Sequence, residues 1–76
     1  MTVFDLKPGE RGKIVGINIS GGAKSRLSSL GINVGETVEI LSFSLFKSSV
    51  LISCAAVRVG IRKAFAKNIG VEKCSE

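Results

Sequence analysis

The segment from Arg26 to Gly35, reading RLSSLGINVG, limits the fold more than any other stretch of this chain. Leu27 and Leu30 stand three apart, the spacing that brings two side chains to one face of a helical turn. Gly31 follows at once, where a helix commonly stops in a left-handed conformation that glycine alone adopts cheaply. Ile32 is then placed to pack back beyond the cap, and Gly35-Glu36 turns the chain into a β-patterned run. A short helix wedged between strands predicts a small barrel with one inserted helix.

The rest of the chain fits that frame. Val3, Phe4 and Leu6 are available to plug one end, and Pro8-Gly9 marks a turn. From Gly12 to Ile19 the pattern is strand-like, with Val15, Ile17 and Ile19 on the inner face and Gly16 marking a bend or close backbone approach. Ser20 is the expected helix-entry residue, and Ala23, Leu27 and Leu30 recur at helical spacing after it. Thr37 to about Phe43 is a second strand with apolar residues on both sides, Val38 and Ile40 against Leu41 and Phe43.

A third strand runs from Val50 to Cys54, with Val50, Ile52 and Cys54 inward. Ala55-Ala56 then connects without the usual turn residues, which predicts a strained or bulged hairpin. In the next strand Val57, Val59 and Ile61 face in, and Arg58, Gly60 and Arg62 face out. Lys63 to Lys67 reads as a helical turn whose Ala64 and Phe65 close the other end, and Ile69 and Val71 supply a short last strand. The fold class is therefore all-β: an SH3-like barrel with one short inserted helix and a terminal helical turn, one domain over residues 1–76.

Composition narrows the chemistry. Apolar residues make up 45% of the 76, with 5% aromatic, which suits a small aliphatic core and argues against disorder. There is no His, Trp or Tyr, and Asp5 is the one Asp. Lack of His removes both the side chain that titrates near neutrality and the commonest transition-metal ligand. The carboxylates are scattered apart from Glu36 and Glu39, so no acid, base or nucleophile stands in a recognisable arrangement and no catalytic residue is assigned. Cys54 reads as a small core residue and Cys74 as an exposed one; two thiols fall short of the four ligands of a closed zinc site, so neither metal nor cofactor is expected. The opening MTVFDLKPGER carries charges and a Pro where a leader has its apolar core, and no run reaches the roughly 18 apolar residues of a spanning helix. The expectation is a cytoplasmic protein without direct membrane insertion.

Three features compete for a binding role. Gly21-Gly22-Ala23-Lys24-Ser25 imitates a phosphate loop, but Ala23 stands where Gly must precede the Lys and Asn18 where the first Gly belongs. The glycines permit a tight strand-to-helix turn instead. The net charge of +5 gathers late, at Arg58, Arg62, Lys63 and Lys67. Such a stripe suits RNA, anionic lipid or an acidic protein surface, yet Phe43 and Phe46 are the only rings free to stack on bases. The partner-binding candidates are Arg26, Leu27 and Leu30 on the helix, with Leu45 and Phe46 in a loop. Their alternative role is structural, Leu27 and Leu30 anchoring the helix and Leu45 and Phe46 folding over the barrel as a lid. Exposed apolar residues 43–46 and unpaired strand edges also make weak self-association an expectation.

Taken with Lys7-Pro8-Gly9-Glu10, Gly12-Lys13-Ile14, Gly21-Gly22 and Val59-Gly60-Ile61-Arg62, the RL-x-x-LG-x-x-x-G phrase resembles the FeoA family over nearly the whole chain. Two departures touch turn geometry: Ser48-Ser49 where the family often has a Pro, and Ala55-Ala56 where it often has a Gly. The resemblance implies an SH3-like fold and a small cytosolic accessory protein of bacterial ferrous iron uptake. It implies further that the partner is FeoB, the membrane ferrous transporter with a GTP-hydrolysing domain, met through the helix and its neighbouring loop, and that the protein is not an enzyme. A nucleic-acid-binding small barrel and a metal-responsive regulatory module are the alternatives.

Overall fold

Strand β1 (Arg11–Ile17), helix α1 (Gly22–Ser29), strands β2 (Thr37–Phe43), β3 (Ser49–Cys54) and β4 (Val57–Arg62), helical turn α2 (Lys63–Ala66) and strand β5 (Ile69–Lys73) follow one another in the computed structural model. The structure describes residues 1–74. Short 3-10 turns occupy Val3–Asp5 and Leu45–Lys47. The strands form one antiparallel sheet in the order β4-β3-β2-β1-β5, an SH3-like barrel that is left unpaired between β4 and β5.

Two β-bulges explain an apolar pattern that simple alternation misreads. In β1 the register against β5 shifts between Ile14 and Gly16, making Val15 the extra residue. Ahead of it Gly12 and Ile14 are buried; beyond it the parity inverts and Ile17 and Ile19 pack on the core. Val15 is 54% exposed, so its expected inward position is corrected. In β2 the register against β3 shifts between Ile40 and Ser42, and Leu41 is the extra residue. Val38 and Ile40 face the core before that shift and Phe43 after it, which resolves the apparent two-sided strand. Each bulge bends its strand and helps coil the sheet around the aliphatic interior.

That interior draws on all five strands, both helices and the N-terminal turn. Val3 and Leu6 plug one end as expected, and Gly12 is buried because Leu6 and Val71 lie where its side chain would be. Val50, Ile52 and Cys54 line the inner face of β3. Each wholly buried Ile or Val contributes roughly 1.5–3 kcal/mol. Ala66 closes the far end in place of the expected Ala64 and Phe65, which both remain exposed. Val57, expected inward, is exposed at the hairpin end of β4, while Val59 is half-buried and Ile61 buried.

The Ala55-Ala56 connection is strained and not bulged. Both residues have positive φ, 52° and 67°, and the pairing from Cys54–Val57 to Ser49–Arg62 runs without a register shift. This is the two-residue primed turn that matches strand twist, made here without the glycine that normally relieves it.

Candidate functional site

Helix α1 is fixed at both ends by backbone geometry. Gly21, at φ 72°, precedes the first turn where Ser20 was expected to cap, and no side chain caps it. At the other end Gly31 takes φ 90°, its N–H donates to Ser28 O at 3.0 Å, and the Ile32 N–H donates to Leu27 O at 2.9 Å. These two bonds are the Schellman closure, and Ile32 and Leu27 both belong to the core, supplying its hydrophobic contact. The helix is thus pinned on the barrel by Leu27, 9% exposed, while Leu30 is 36% exposed on its flank.

Between this flank and β4 runs a cleft of about 630 Å³. One wall carries Arg26, Leu27 and Leu30; the other carries Val59, Gly60, Ile61 and Arg62, and Phe65 of α2 joins them. Of the five residues expected to bind a partner, three therefore meet in one place. Sequence reading missed the opposite wall, because only non-local pairing sets β4 beside the helix. The outward Arg62 and the apolar Phe65 at the foot of β4 were its visible signals.

The cleft is electropositive for a reason legible in the chain. No carboxylate stands between Glu39 and Glu72, while Lys47, Arg58, Arg62, Lys63 and Lys67 add five positive charges there, equal to the whole formal net charge of +5. Arg26 and Arg62 have no ion-pair partner among the described residues.

Leu45 and Phe46 lie elsewhere, on the β2–β3 turn, 80% and 89% exposed. The lid alternative is corrected: neither covers the barrel. The turn is nevertheless well held. Lys47 N–H donates to Ser44 O at 2.8 Å, Ser49 N–H to Ser44 Oγ at 2.9 Å, and the Ser44 and Ser48 hydroxyls lie 3.0 Å apart. Lys47 folds back over the Phe43 ring at 4.5 Å and the Phe4 ring at 5.3 Å, the two rings meeting edge to face at 5.2 Å. Phe43 is therefore occupied by Phe4 and Lys47, which leaves Phe46 as the outward ring of that tip. Phe46 keeps φ 66°, a conformation disfavoured for a bulky side chain.

Cys54 is buried and its thiol donates to Gly31 O at 3.6 Å. Burial pushes the thiol's pKa up, and the Glu36 charge pushes it further. A thiol held neutral in this way is a poor metal ligand. Cys74, expected to be exposed, is half-buried at the end of the described chain. Among the described residues no three His, Cys, Asp or Glu side chains group as a metal site, and no helix is long and apolar enough to cross a membrane.

Residues 1–73 match the family model described as FeoA domain. Among solved structures, the iron(II) transport protein A of Clostridium thermocellum is 26% identical with a TM-score of 0.90, over 96% of this chain and 45% of that one. A crystal structure of an iron uptake regulatory protein, FeoA, is 28% identical with a TM-score of 0.83, over 97% of this chain and 96% of that one. A Stenotrophomonas maltophilia FeoA complexed with zinc, described as a procaryotic SH3 domain protein, is similar in fold: TM-score 0.80 at 21% identity, over 95% of this chain and 89% of that one. The chain thus spans under half the length of the C. thermocellum protein and most of the other two. No match is found among curated proteins.

Proposed function

Because this chain belongs to the FeoA domain family, which is associated with ferrous iron transport, we propose that it is a non-enzymatic interaction module that binds the cytosolic, GTPase-bearing part of FeoB. It works in the cytoplasm and regulates uptake by docking, with iron passing through the transporter and not through this protein. The observation that carries the reading is the α1–β4 cleft: Leu30 and Phe65 offer apolar anchorage, and Arg26 and Arg62 stand ready for partner carboxylates. Arginine beside large apolar groups is the composition of interface hot spots. Two relatives support the direction, one named an iron uptake regulatory protein and one named in connection with activating ferrous iron transport. The exposed Leu45–Phe46 tip is a second contact in the same complex, apolar and flanked by the Ser44–Ser49 hydrogen bond.

The test is calorimetric titration of the full chain into the cytosolic part of FeoB, repeated with Arg26→Glu and Leu30→Glu. Both residues sit at the surface side of the cleft, so circular dichroism should stay native while affinity falls about tenfold or more. Absence of binding by the unaltered chain, or unchanged affinity in both variants, contradicts the proposal.

A further inference from the structure

The cleft has a property that an ordinary apolar groove lacks: one of its walls is the open edge of a sheet. Among the described residues β4 pairs with β3 alone and stands at the end of the strand order. The two-residue turn makes Cys54 and Val57 a pair that exchanges both backbone bonds, and alternation assigns the same to Ile52–Val59 and Val50–Ile61. The backbone N–H and C=O groups of Arg58, Gly60 and Arg62 then point away from β3, toward the open side. At Gly60 an added Cβ would meet nothing within 4 Å, so the sheet face beside that edge is open as well. The facing wall is α1, whose Leu30 and Arg26 line the same space. A helix flank set beside a free strand edge is the arrangement by which extended peptides are taken up as an extra strand, main-chain bonds giving affinity and alternate side chains giving specificity.

We infer that the α1–β4 cleft takes an extended polypeptide segment as a sixth strand on β4, one with aliphatic side chains at alternate positions and a carboxylate for Arg26 or Arg62. The inference rests on the reading of this cleft as a docking surface and gives it a binding mode and a partner chemistry. Charge complementarity selects the occupant: with no carboxylate from residue 40 to residue 71, the cleft suits an acidic segment and repels a basic one. The other sheet edge is not a competitor, since the chain's own N-terminus already lies on it through the Thr2–Gly70 bridge and the Val71 N–H bond to Met1 O.

A random peptide library displayed on phage and selected on the full chain tests this without FeoB. The enriched sequences should alternate aliphatic residues with at least one Asp or Glu. A synthetic peptide of that sequence should slow amide exchange at Gly60 and Arg62. Gly60→Pro, which deletes an edge donor outside the β3 ladder, should weaken that peptide about tenfold or more with native circular dichroism. No enrichment, peptides that leave both amides exchanging as in the free chain, or an unchanged affinity in Gly60→Pro each overturn strand addition. Protection of Gly60 in the free chain together with dimer sedimentation overturns it too, because a second copy then holds the edge. If Gly60→Pro fails to fold, amide protection in the unaltered chain decides. A chain that enriches such peptides yet ignores FeoB loses the transporter assignment and keeps this one; a chain that binds FeoB away from Gly60 does the reverse.

Discussion

The two edges of this sheet are treated differently. At β5 the edge is covered: Thr2 bridges to Gly70, the Val71 N–H bonds to Met1 O at 3.0 Å, and Val3 and Leu6 drop into the core just beyond. The cover is itself tied down, because Asp5 Oδ2 accepts from the Thr2 N–H at 2.8 Å and from its hydroxyl at 3.2 Å. At β4 no described segment pairs with the edge, although α1 stands close enough to shape a cleft. An exposed strand edge invites aggregation, and proteins usually blunt it. Here one edge is closed by the chain itself while the other is flanked by arginines and a helix. This contrast is what the proposed docking at the β4 edge rests on.

Proline substitution breaks the comparison most sharply. Val71→Pro removes the N–H that fastens the cover, together with a buried side chain, and should cost about 3 kcal/mol or more in urea denaturation. Gly60→Pro alters an edge group outside the ladder and should cost less than about 1 kcal/mol. Equal losses would mean that the two edges are not distinct. Next comes Gly31→Ala, at the turn that presents α1 to the cleft. Its φ of 90° strains any L residue, and the new Cβ would lie 3.3 Å from that of Ala55, so a loss of roughly 1–2 kcal/mol is expected by the same measurement. Ala56→Gly works in the opposite sense, relieving the positive φ at the β3–β4 turn and raising stability by up to about 1 kcal/mol. A destabilised Ala56→Gly would show that the turn is not strained.

The smallest effect is on pH. The Thr2 backbone N–H holds the Asp5 carboxyl below its ordinary value, and hydrogen bonds from Lys73 and the Lys7 N–H do the same for Glu10. A carboxylate whose folded pKa is depressed stabilises fully above its unfolded pKa and loses that contribution as pH falls through the folded one. The melting temperature should therefore be flat above about pH 5 and decline below it. Asp5→Asn with Glu10→Gln should flatten the decline, and an unaltered profile would remove these groups from the account. Since both lie in or beside the N-terminal cover, the decline should accompany faster exchange at Val71 and leave Gly60 unaffected.

Much of the fold was legible because its signals are local. The bounds of β2, Thr37–Phe43, follow from a β-branched and apolar run between a Gly-Glu turn and a serine-rich one, although its two-sided apolar pattern needed the Leu41 bulge to be resolved. The α1 stop follows from Gly31-Ile32, whose conformational need is a property of those two residues. The misread positions depend on distant partners. Val15 faces out because β5 imposes a bulge on β1, and Val57 is exposed because β4 is an edge strand at its hairpin end. Of the site, Arg26, Leu27 and Leu30 could be read from the helix, whereas Val59, Gly60, Arg62 and Phe65 become a wall only once strand order is known. Leu45 and Phe46 were visible as apolar residues in a turn, but whether they fold inward depends on Lys47 claiming the Phe4–Phe43 pair.

Amide hydrogen exchange on the free chain, read residue by residue, bears most directly on the difference between the edges. The Val71 amide should exchange slowly, in step with the ladder amides of β1 and β3, while the Gly60 and Arg62 amides exchange fast. Addition of the cytosolic part of FeoB should then slow Gly60 and Arg62. Slow exchange at Gly60 in the free monomer, matching Val71, would contradict the account, because the edge assigned to a partner would already be closed.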